Sequence, residues 1–323
     1  MNIRKVDVES FSSIRSIDIF ITAASFEKRC ITAAQNLDKR SIKNSIIFSN
    51  LRNQQYVRKN LKSLEKILKN TKKYRIDSSD PIYTADNMIK TFSSFQKSRI
   101  NKIVLDSSTF THEALLILLK VLSIAFNSVD LIILYNSAKK YSTDSENDND
   151  IWLSRGLKKV RTILGYSGEI SPTKKTHLIL LAGFEHYRAS LLISKIQPDL
   201  ISIGAARKGT STKPKHYSAN KYAKDLLTQV FATHRNVDEF EFSPSDPIET
   251  SINVLTIRDK YIDCNTIVAP LNTKVSTIGC AIACKKDLSI KLIYSEPIVY
   301  NFKNYSEPSN EGYILSANTH EFL

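Results

Sequence analysis

The chain has 323 residues, of which 42% are hydrophobic and 24% charged, and its formal net charge is +14. This composition excludes an intrinsically disordered chain, and the length exceeds what one hydrophobic core usually supports. We therefore expect two domains of similar size. The apolar runs are too short to span a membrane, and the N-terminal segment lacks the apolar stretch of a secretory signal. A soluble, cytoplasmic protein is expected.

The excess of lysine and arginine predicts attraction to polyanions, and it is densest between Lys39 and Arg75. An alternative is that part of the excess reflects coding bias, because Lys, Asn and Ile are abundant together. No basic run with interleaved aromatic residues is apparent. Nucleic-acid binding is therefore expected to be electrostatic and to weaken steeply with salt. Within the run, apolar residues at helical spacing would form a buried stripe and leave the lysines exposed to solvent. The stripe consists of Val57, Leu61, Leu64 and Ile67.

Taken in chain order, the two halves share four landmarks, which indicates an internal duplication. The first is an apolar run followed by Phe-Glu, and it aligns Glu27 with Glu185. The other landmarks are strands from Asn44 and Asp199, Ser-Asp-Pro-Ile turns at Asp80 and Asp246, and strand-loop-helix segments from Asn101 and Asn265. In both Ser-Asp-Pro-Ile turns the aspartate precedes a proline and is expected to cap a helix.

Alternation of apolar strands with helical segments predicts an α/β protein made of two diverged Rossmann-like repeats, each a mainly parallel sheet flanked by helices. The expected boundaries are residues 1–140 for the first repeat, 141–175 for a linker with a bridging helix, and 176–323 for the second repeat. The bridging helix is expected from Ile151 to Leu164, with Trp152 as an apolar anchor.

Ligands of such sheets bind beyond the carboxyl ends of the strands, where hydroxyl, amide and basic side chains suit phosphate or ribose. For each of these residues, ordinary helix capping is the alternative. In the first copy the ligand-binding candidates are Ser25, Arg29, Ser107, Ser108, Thr109 and Thr111. In the second copy they are Arg188, Asn272, Thr273 and Lys274, together with Arg207 and Lys208 of a basic loop between Ala205 and Tyr222.

Catalysis is left open by the sequence. Glu27, Asp106 and Glu185 are the candidates for an acid or base, while the neighbouring arginines make structural ion pairs an equal interpretation. Neither a GxGxxG nor a Walker motif is present, and the histidines are dispersed, so no cofactor and no metal are expected. The four cysteines are expected to be free, buried thiols: Cys30, Cys264, Cys280 and Cys284.

The segments VLDSSTFTHEALLILL from Val104 and VAPLNTKVSTIGCAIA from Val268 resemble the signature loop of the CRISPR-associated Rossmann fold (CARF) family. In that family a strand leads into a polar loop with a basic residue and then an apolar helix, and paired Rossmann units bind a cyclic oligoadenylate. The resemblance implies a nucleotide sensor in a prokaryotic defence system, with a protein partner there.

Three functions are compatible with these observations. The first is a sensor or regulatory subunit that binds a nucleotide or another phosphate-bearing ligand. The others are an enzyme acting on a nucleotide or nucleic acid, and a basic scaffold that binds nucleic acid. For the sensor, we expect the two polar loops to face one shared cleft, with Lys274 as its most important contact to phosphate.

Overall fold

A computed structural model describes residues 1–50, 54–95, 98–142, 152–211, 213–233, 236–303 and 305–322. The chain forms two compact units. The first comprises Met1–Ile151 together with Asn301–Leu323, and the second comprises Trp152–Tyr300. Within the described residues, no helix combines the length and the apolar character needed to cross a membrane.

The first unit is built on a seven-stranded sheet. The strands are β1 (Asn2–Asp7), β2 (Ile17–Ala24), β3 (Ile42–Asn50), β4 (Thr71–Ile76), β5 (Lys102–Asp106), β6 (Asp130–Tyr141) and β15 (Ser306–Asn318). Their order in the sheet is β1-β15-β6-β5-β2-β3-β4. Strands β4, β3, β2, β5 and β6 are parallel, whereas β15 lies antiparallel to both β6 and β1. The helices are α1 (Thr32–Asn36), α2 (Gln54–Ile67), α3 (Pro81–Ser93) and α4 (His112–Ala125).

The second unit contains a six-stranded sheet and a separate pair of short strands. The strands are β7 (Ser154–Arg155), β8 (Lys159–Thr162), β9 (Thr176–Leu181), β10 (Leu200–Ala206), β11 (Asn236–Phe242), β12 (Asn265–Pro270), β13 (Lys291–Glu296) and β14 (Val299–Tyr300). The six-stranded sheet has the order β11-β10-β9-β12-β13-β8, and β7 pairs with β14. The helices are α5 (His186–Ile196), α6 (Pro214–Phe231), α7 (Pro247–Lys260) and α8 (Lys274–Lys286).

The two sheets have the same strand order. Numbering the parallel strands of each unit from one to five along the chain, both sheets read 3-2-1-4-5, followed by an antiparallel sixth strand. This is the order of a Rossmann-like sheet, in which the connections change direction between the first and fourth strands. The predicted fold class of two Rossmann-like α/β repeats is therefore confirmed.

The units are not consecutive segments of the chain, so the structure departs from the expected boundaries. β15 lies in the sheet of the first unit, where it pairs along β6 from Tyr141 to Asp130. By this pairing it covers the edge of a twelve-residue strand that would otherwise expose its backbone donors and acceptors. Residues 152–175, which were expected in the linker, belong to the second unit.

The prediction of a helix between Ile151 and Leu164 is wrong. Ile151 lies outside the described residues, and the rest of the segment contains β7 and β8. Gly156 and Gly165 adopt φ values of +69° and +86°, so both ends of the intervening segment leave the helical region. Trp152 is half-buried, and the Arg155 guanidinium lies 4.5 Å from the centre of its ring.

The aspartates of the repeated Ser-Asp-Pro-Ile turns cap helices, as predicted. The Asp80 carboxylate accepts the Tyr83 N–H at 2.9 Å at the start of α3, and the Asp246 carboxylate accepts the Ile248 N–H at 2.8 Å at the start of α7. In each helix the following proline occupies the first turn. Because these donors have no partner within a helix, the aspartates stabilise the two starts.

The predicted inward stripe of α2 is also confirmed. Val57 and Leu64 are buried in a core cluster with Phe20 of β2 and Val104 of β5. Strand β2 is buried along its whole length, as expected for the centre of a parallel sheet. The core therefore holds the carboxyl end of β2 in a fixed position.

Gly183, directly after β9, marks a close backbone contact with the loop after β12. A Cβ at this position would lie 2.1 Å from the Leu271 carbonyl oxygen. We expect Gly183→Ala to lower the free energy of unfolding by about 2 kcal/mol, because the backbone must shift. Urea unfolding measures the loss, and Ser194→Ala, at an exposed position of α5, is the control. A loss no larger than that of the control would contradict the prediction.

Candidate functional site

The Phe-Glu segment of the first unit places a buried ion pair beyond the end of β2. Arg29 and Glu27 are 3% and 9% exposed, and their nitrogen and oxygen atoms lie 2.6 Å apart. Arg29 also donates to the Asn136 carbonyl oxygen of β6 at 3.0 Å and to the Ser306 hydroxyl at 3.1 Å. The Ser306 hydroxyl in turn donates to Glu27. These bonds join the loop after β2 to β6 and β15.

Burial and the neighbouring carboxylate act in opposite directions on Arg29. Burial disfavours the charged guanidinium, but the attraction of Glu27 prevails and raises the pKa of Arg29 well above its ordinary value. The Tyr135 and Tyr141 rings each lie 6.0 Å from the guanidinium carbon. Burial also raises the pKa of Tyr141 well above its ordinary value. Arg29 is therefore a fixed cation and Tyr141 a neutral phenol at physiological pH.

The second unit repeats this arrangement. Arg188 and Glu185 form an ion pair at 2.6 Å, and Arg188 donates to the Ser295 carbonyl oxygen of β13 at 3.1 Å. The Glu185 carboxylate also accepts the Ser154 N–H. In both units the arginine thus joins the loop after the first parallel strand to the fifth. The catalytic roles considered for Glu27 and Glu185 stay predictions, and the structure shows both carboxylates engaged in structural bonds.

Two buried asparagines belong to the same arrangement and were missed from the sequence. The Asn60 side chain, on α2, donates to the Ser25 carbonyl oxygen at 2.8 Å. The Asn220 side chain, on α6, donates to the Ala182 and Gly183 carbonyl oxygens. Each asparagine therefore satisfies carbonyl groups of the loop after the first parallel strand. The available signal was an amide on the apolar face of an amphipathic helix in both halves.

The polar loop after β5 is bonded mainly within the first unit. The Ser107 hydroxyl donates to the Leu134 carbonyl oxygen at 2.9 Å, and the Ser108 hydroxyl accepts the Asn136 N–H at 2.8 Å. Thr109 donates to the Ala23 carbonyl oxygen, and Thr111 caps α4. Ser25, after β2, accepts the Glu27 N–H. The Thr111 bond is a helix cap, whereas Ser107, Ser108 and Thr109 bond to backbone groups of β2 and β6. A ligand role for these residues stays a prediction.

Asp106, at the end of β5, is buried, and it forms no ion pair with any cationic side chain that the structure describes. Its carboxylate accepts the Ser108 N–H at 3.0 Å and the Thr22 hydroxyl at 3.4 Å. Burial raises the pKa of Asp106 to about 6, against the opposing effect of these bonds and of the Arg29 charge. With 1% exposure, the carboxyl group does not reach the surface.

In the second unit the predicted contacts are closer to the surface. Thr273 caps α8 by accepting the Ser276 N–H at 3.1 Å, and Asn272 donates to the Ala182 carbonyl oxygen. Lys274 begins α8 and is half-buried. Arg207 is exposed and pairs with Glu249 at 2.7 Å, and Lys208 is exposed. The shared cleft and the role of Lys274 stay predictions.

A cleft of about 400 Å³ lies beside the Glu27–Arg29 pair in the first unit. Its walls come from residues 26–28 after β2, residues 140–142 at the end of β6, and residues 302–303 and 305–307 at the start of β15. We call it the lysine cleft, because three lysines and four aromatic side chains line it. They are Lys28, Lys140, Lys303, Phe26, Tyr141, Phe302 and Tyr305.

The charge of the lysine cleft is positive. Lys28, Lys140 and Lys303 are exposed, and among the residues that the structure describes none of them forms an ion pair. Of the two carboxylates in the walls, Glu27 is neutralised by Arg29, which leaves Glu307 against three lysines. These lysines were not predicted from the sequence, although Lys-Lys-Tyr-Ser from Lys139 and Phe-Lys-Asn-Tyr-Ser from Phe302 both combine lysine with tyrosine.

Within the described ranges, no three His, Cys, Asp or Glu side chains form a group that could hold a metal ion. All four cysteines are free thiols, and three of them are buried. Burial raises the pKa of Cys30 to about 12, so its nucleophilic thiolate form is not populated at physiological pH.

No protein-family model matches the chain, and no curated protein matches it. Several solved structures are similar to it at low level, and two of them are described here. The cytoplasmic domain of a prokaryotic cation chloride cotransporter is 8% identical over 89% of this chain and 98% of that chain, with a TM-score of 0.27. A periplasmic ribose ABC transporter from Conexibacter woesei is 10% identical over 85% of this chain and 70% of that chain, also with a TM-score of 0.27. Likeness at this level carries no argument about function.

Proposed function

We propose that the first unit binds a nucleotide, or a similar phosphate ester with a planar ring, in the lysine cleft. The observation that carries the proposal is a set of three lysines around aromatic walls, for which the described part of the chain offers no ion-paired carboxylate. A volume of about 400 Å³ lies within the range of about 300–1,000 Å³ usual for small-ligand sites.

The composition of the walls supports a nucleotide over a simple anion. Phe26 packs edge-on against Phe302 and Tyr305, with ring centroids 5.0 Å and 5.5 Å apart, so the aromatic wall is held by its own contacts. Such rings stack with bases, and lysine ammonium groups bind phosphate through charge-assisted hydrogen bonds.

The site supports ligand binding without a catalysed reaction better than it supports an enzyme. Glu27 and Asp106 are buried, Glu185 is partly buried, and Glu27 and Glu185 are held by arginines. Asp106 does not line the cleft. A protein that binds such a ligand without transforming it acts as a sensor or regulatory subunit, which is the role that the sequence favours.

Titration calorimetry with adenosine monophosphate tests the proposal. We expect binding by the native protein and an affinity roughly a hundredfold lower for the triple variant Lys28→Ala, Lys140→Ala, Lys303→Ala, because charge-assisted bonds to phosphate are lost. The matched control replaces three exposed lysines outside the cleft by alanine: Lys90, Lys195 and Lys286. Equal affinity of the two triple variants, or no binding of any common nucleoside monophosphate, contradicts the proposal.

A further inference from the structure

The outer face of α2 is a continuous basic stripe. Arg58, Lys59, Lys62 and Lys66 are all exposed, while Val57 and Leu64 on the opposite side are buried. At about 100° per residue, the four basic residues lie within a third of the helix circumference. We call these four residues the α2 basic face.

This arrangement costs helix stability. Lys62 lies four residues from both Arg58 and Lys66, and like charges at that spacing repel by a few tenths of a kcal/mol. None of the four forms an ion pair within the described part of the chain. The one carboxylate between residues 54 and 75, Glu65, pairs instead with Lys73 of β4 at 2.7 Å. The face therefore has no acidic counterpart of its own, and a polyanion would supply one.

The α2 basic face begins beside the lysine cleft. Tyr56, in the first turn of α2, stacks on Phe302 of the cleft wall with ring centroids 4.2 Å apart and planes 4° from parallel. Tyr56 remains 44% exposed. The stacked Tyr56 and Phe302 rings thus connect the lysine cleft to the α2 basic face. At 1.5 Å per residue, this face extends for about 12 Å from Arg58 to Lys66.

We propose that the ligand of the first unit is single-stranded nucleic acid, with one nucleotide in the lysine cleft and the adjoining backbone along the α2 basic face. The inference rests on the proposed function of the cleft and extends it from a mononucleotide to an oligonucleotide. Basic grooves that follow the backbone, combined with aromatic side chains that stack on bases, are the usual means of binding single strands. A duplex keeps its bases stacked and paired, so it cannot place one in the cleft.

Fluorescence anisotropy with a labelled oligothymidylate of about ten nucleotides tests this inference. We expect the native protein to bind it more tightly than it binds thymidine monophosphate. The variant Lys59→Glu, Lys62→Glu, Lys66→Glu should lower the affinity roughly a hundredfold and reduce the slope of log affinity against log salt by about 2, since each contact contributes about 0.7. The matched control reverses Lys90, Lys195 and Lys286 and should retain the affinity and slope of the native protein.

The possible failures are distinguishable. If mononucleotides bind in the cleft but the oligonucleotide binds no more tightly, or the α2 variant binds it like the control variant, the inference is wrong and the proposed function stands. If the α2 variant loses binding but alanine at the three cleft lysines has no effect, the cleft is not part of the site and both proposals are overturned. Equal or tighter binding of a duplex, or of anionic lipid vesicles, overturns the assignment to single strands.

Discussion

Replacing Arg29 by alanine is expected to destabilise the first unit by about 3–5 kcal/mol, the usual cost of breaking a buried ion pair. The substitution leaves the Glu27 carboxylate, 9% exposed, without its cationic partner. It also removes the donor to the Asn136 carbonyl oxygen of β6. Urea unfolding followed by circular dichroism measures the loss. Arg29→Lys should recover only part of it, because lysine lacks the planar guanidinium group whose several donors reach these acceptors.

The control for this prediction is an exposed ion pair of similar length. Arg207 pairs with Glu249 at 2.7 Å, but half of the Arg207 side chain is exposed. Exposed pairs contribute at most about 1 kcal/mol, so Arg207→Ala should change stability little. If Arg29→Ala and Arg207→Ala lower the free energy of unfolding equally, the Glu27–Arg29 pair does not stabilise the first unit in the way described above.

The variant Asp106→Asn is expected to be more stable than the native protein at neutral pH, by up to about 3 kcal/mol. The pKa of Asp106 is raised from 3.8 to about 6, principally by burial, so the folded state favours the protonated carboxyl. Stability from this group is fully present below the unfolded pKa of 3.8 and is lost as the pH rises through about 6. Asparagine is neutral throughout and keeps an oxygen to accept the Ser108 N–H.

Urea unfolding of both proteins between about pH 4 and pH 7.5 measures the effect. The advantage of Asp106→Asn should be small at the acidic end and grow toward the neutral end. Asp130→Asn, at the exposed start of β6, removes the same charge on the surface and serves as the control. An advantage of Asp106→Asn that is independent of pH, or one shared by Asp130→Asn, would show that the buried charge is not its cause.

Local chemistry made several features predictable. The order of apolar and helical segments predicted the Rossmann-like sheets, because strand and helix periods differ and parallel strands need crossover helices. Asp80 and Asp246 were recognised as caps because the signal, Asp before Pro, lies within one turn of chain. The alignment of Glu27 with Glu185 likewise identified equivalent positions in the two sheets.

The sequence by itself thus determined the alternation of strands and helices within the two repeats, the duplication and the equivalent Phe-Glu positions. Tertiary structure decided which distant residues meet: β15 joins β6, Arg29 contacts Ser306, and lysines far apart in the chain, such as Lys28 and Lys303, line one cleft. Periodicity reports which face of an element is buried, but it carries no information on which element packs there. That choice depends on how a chain end covers an open sheet edge and on where buried charges find partners, and both are properties of the folded chain.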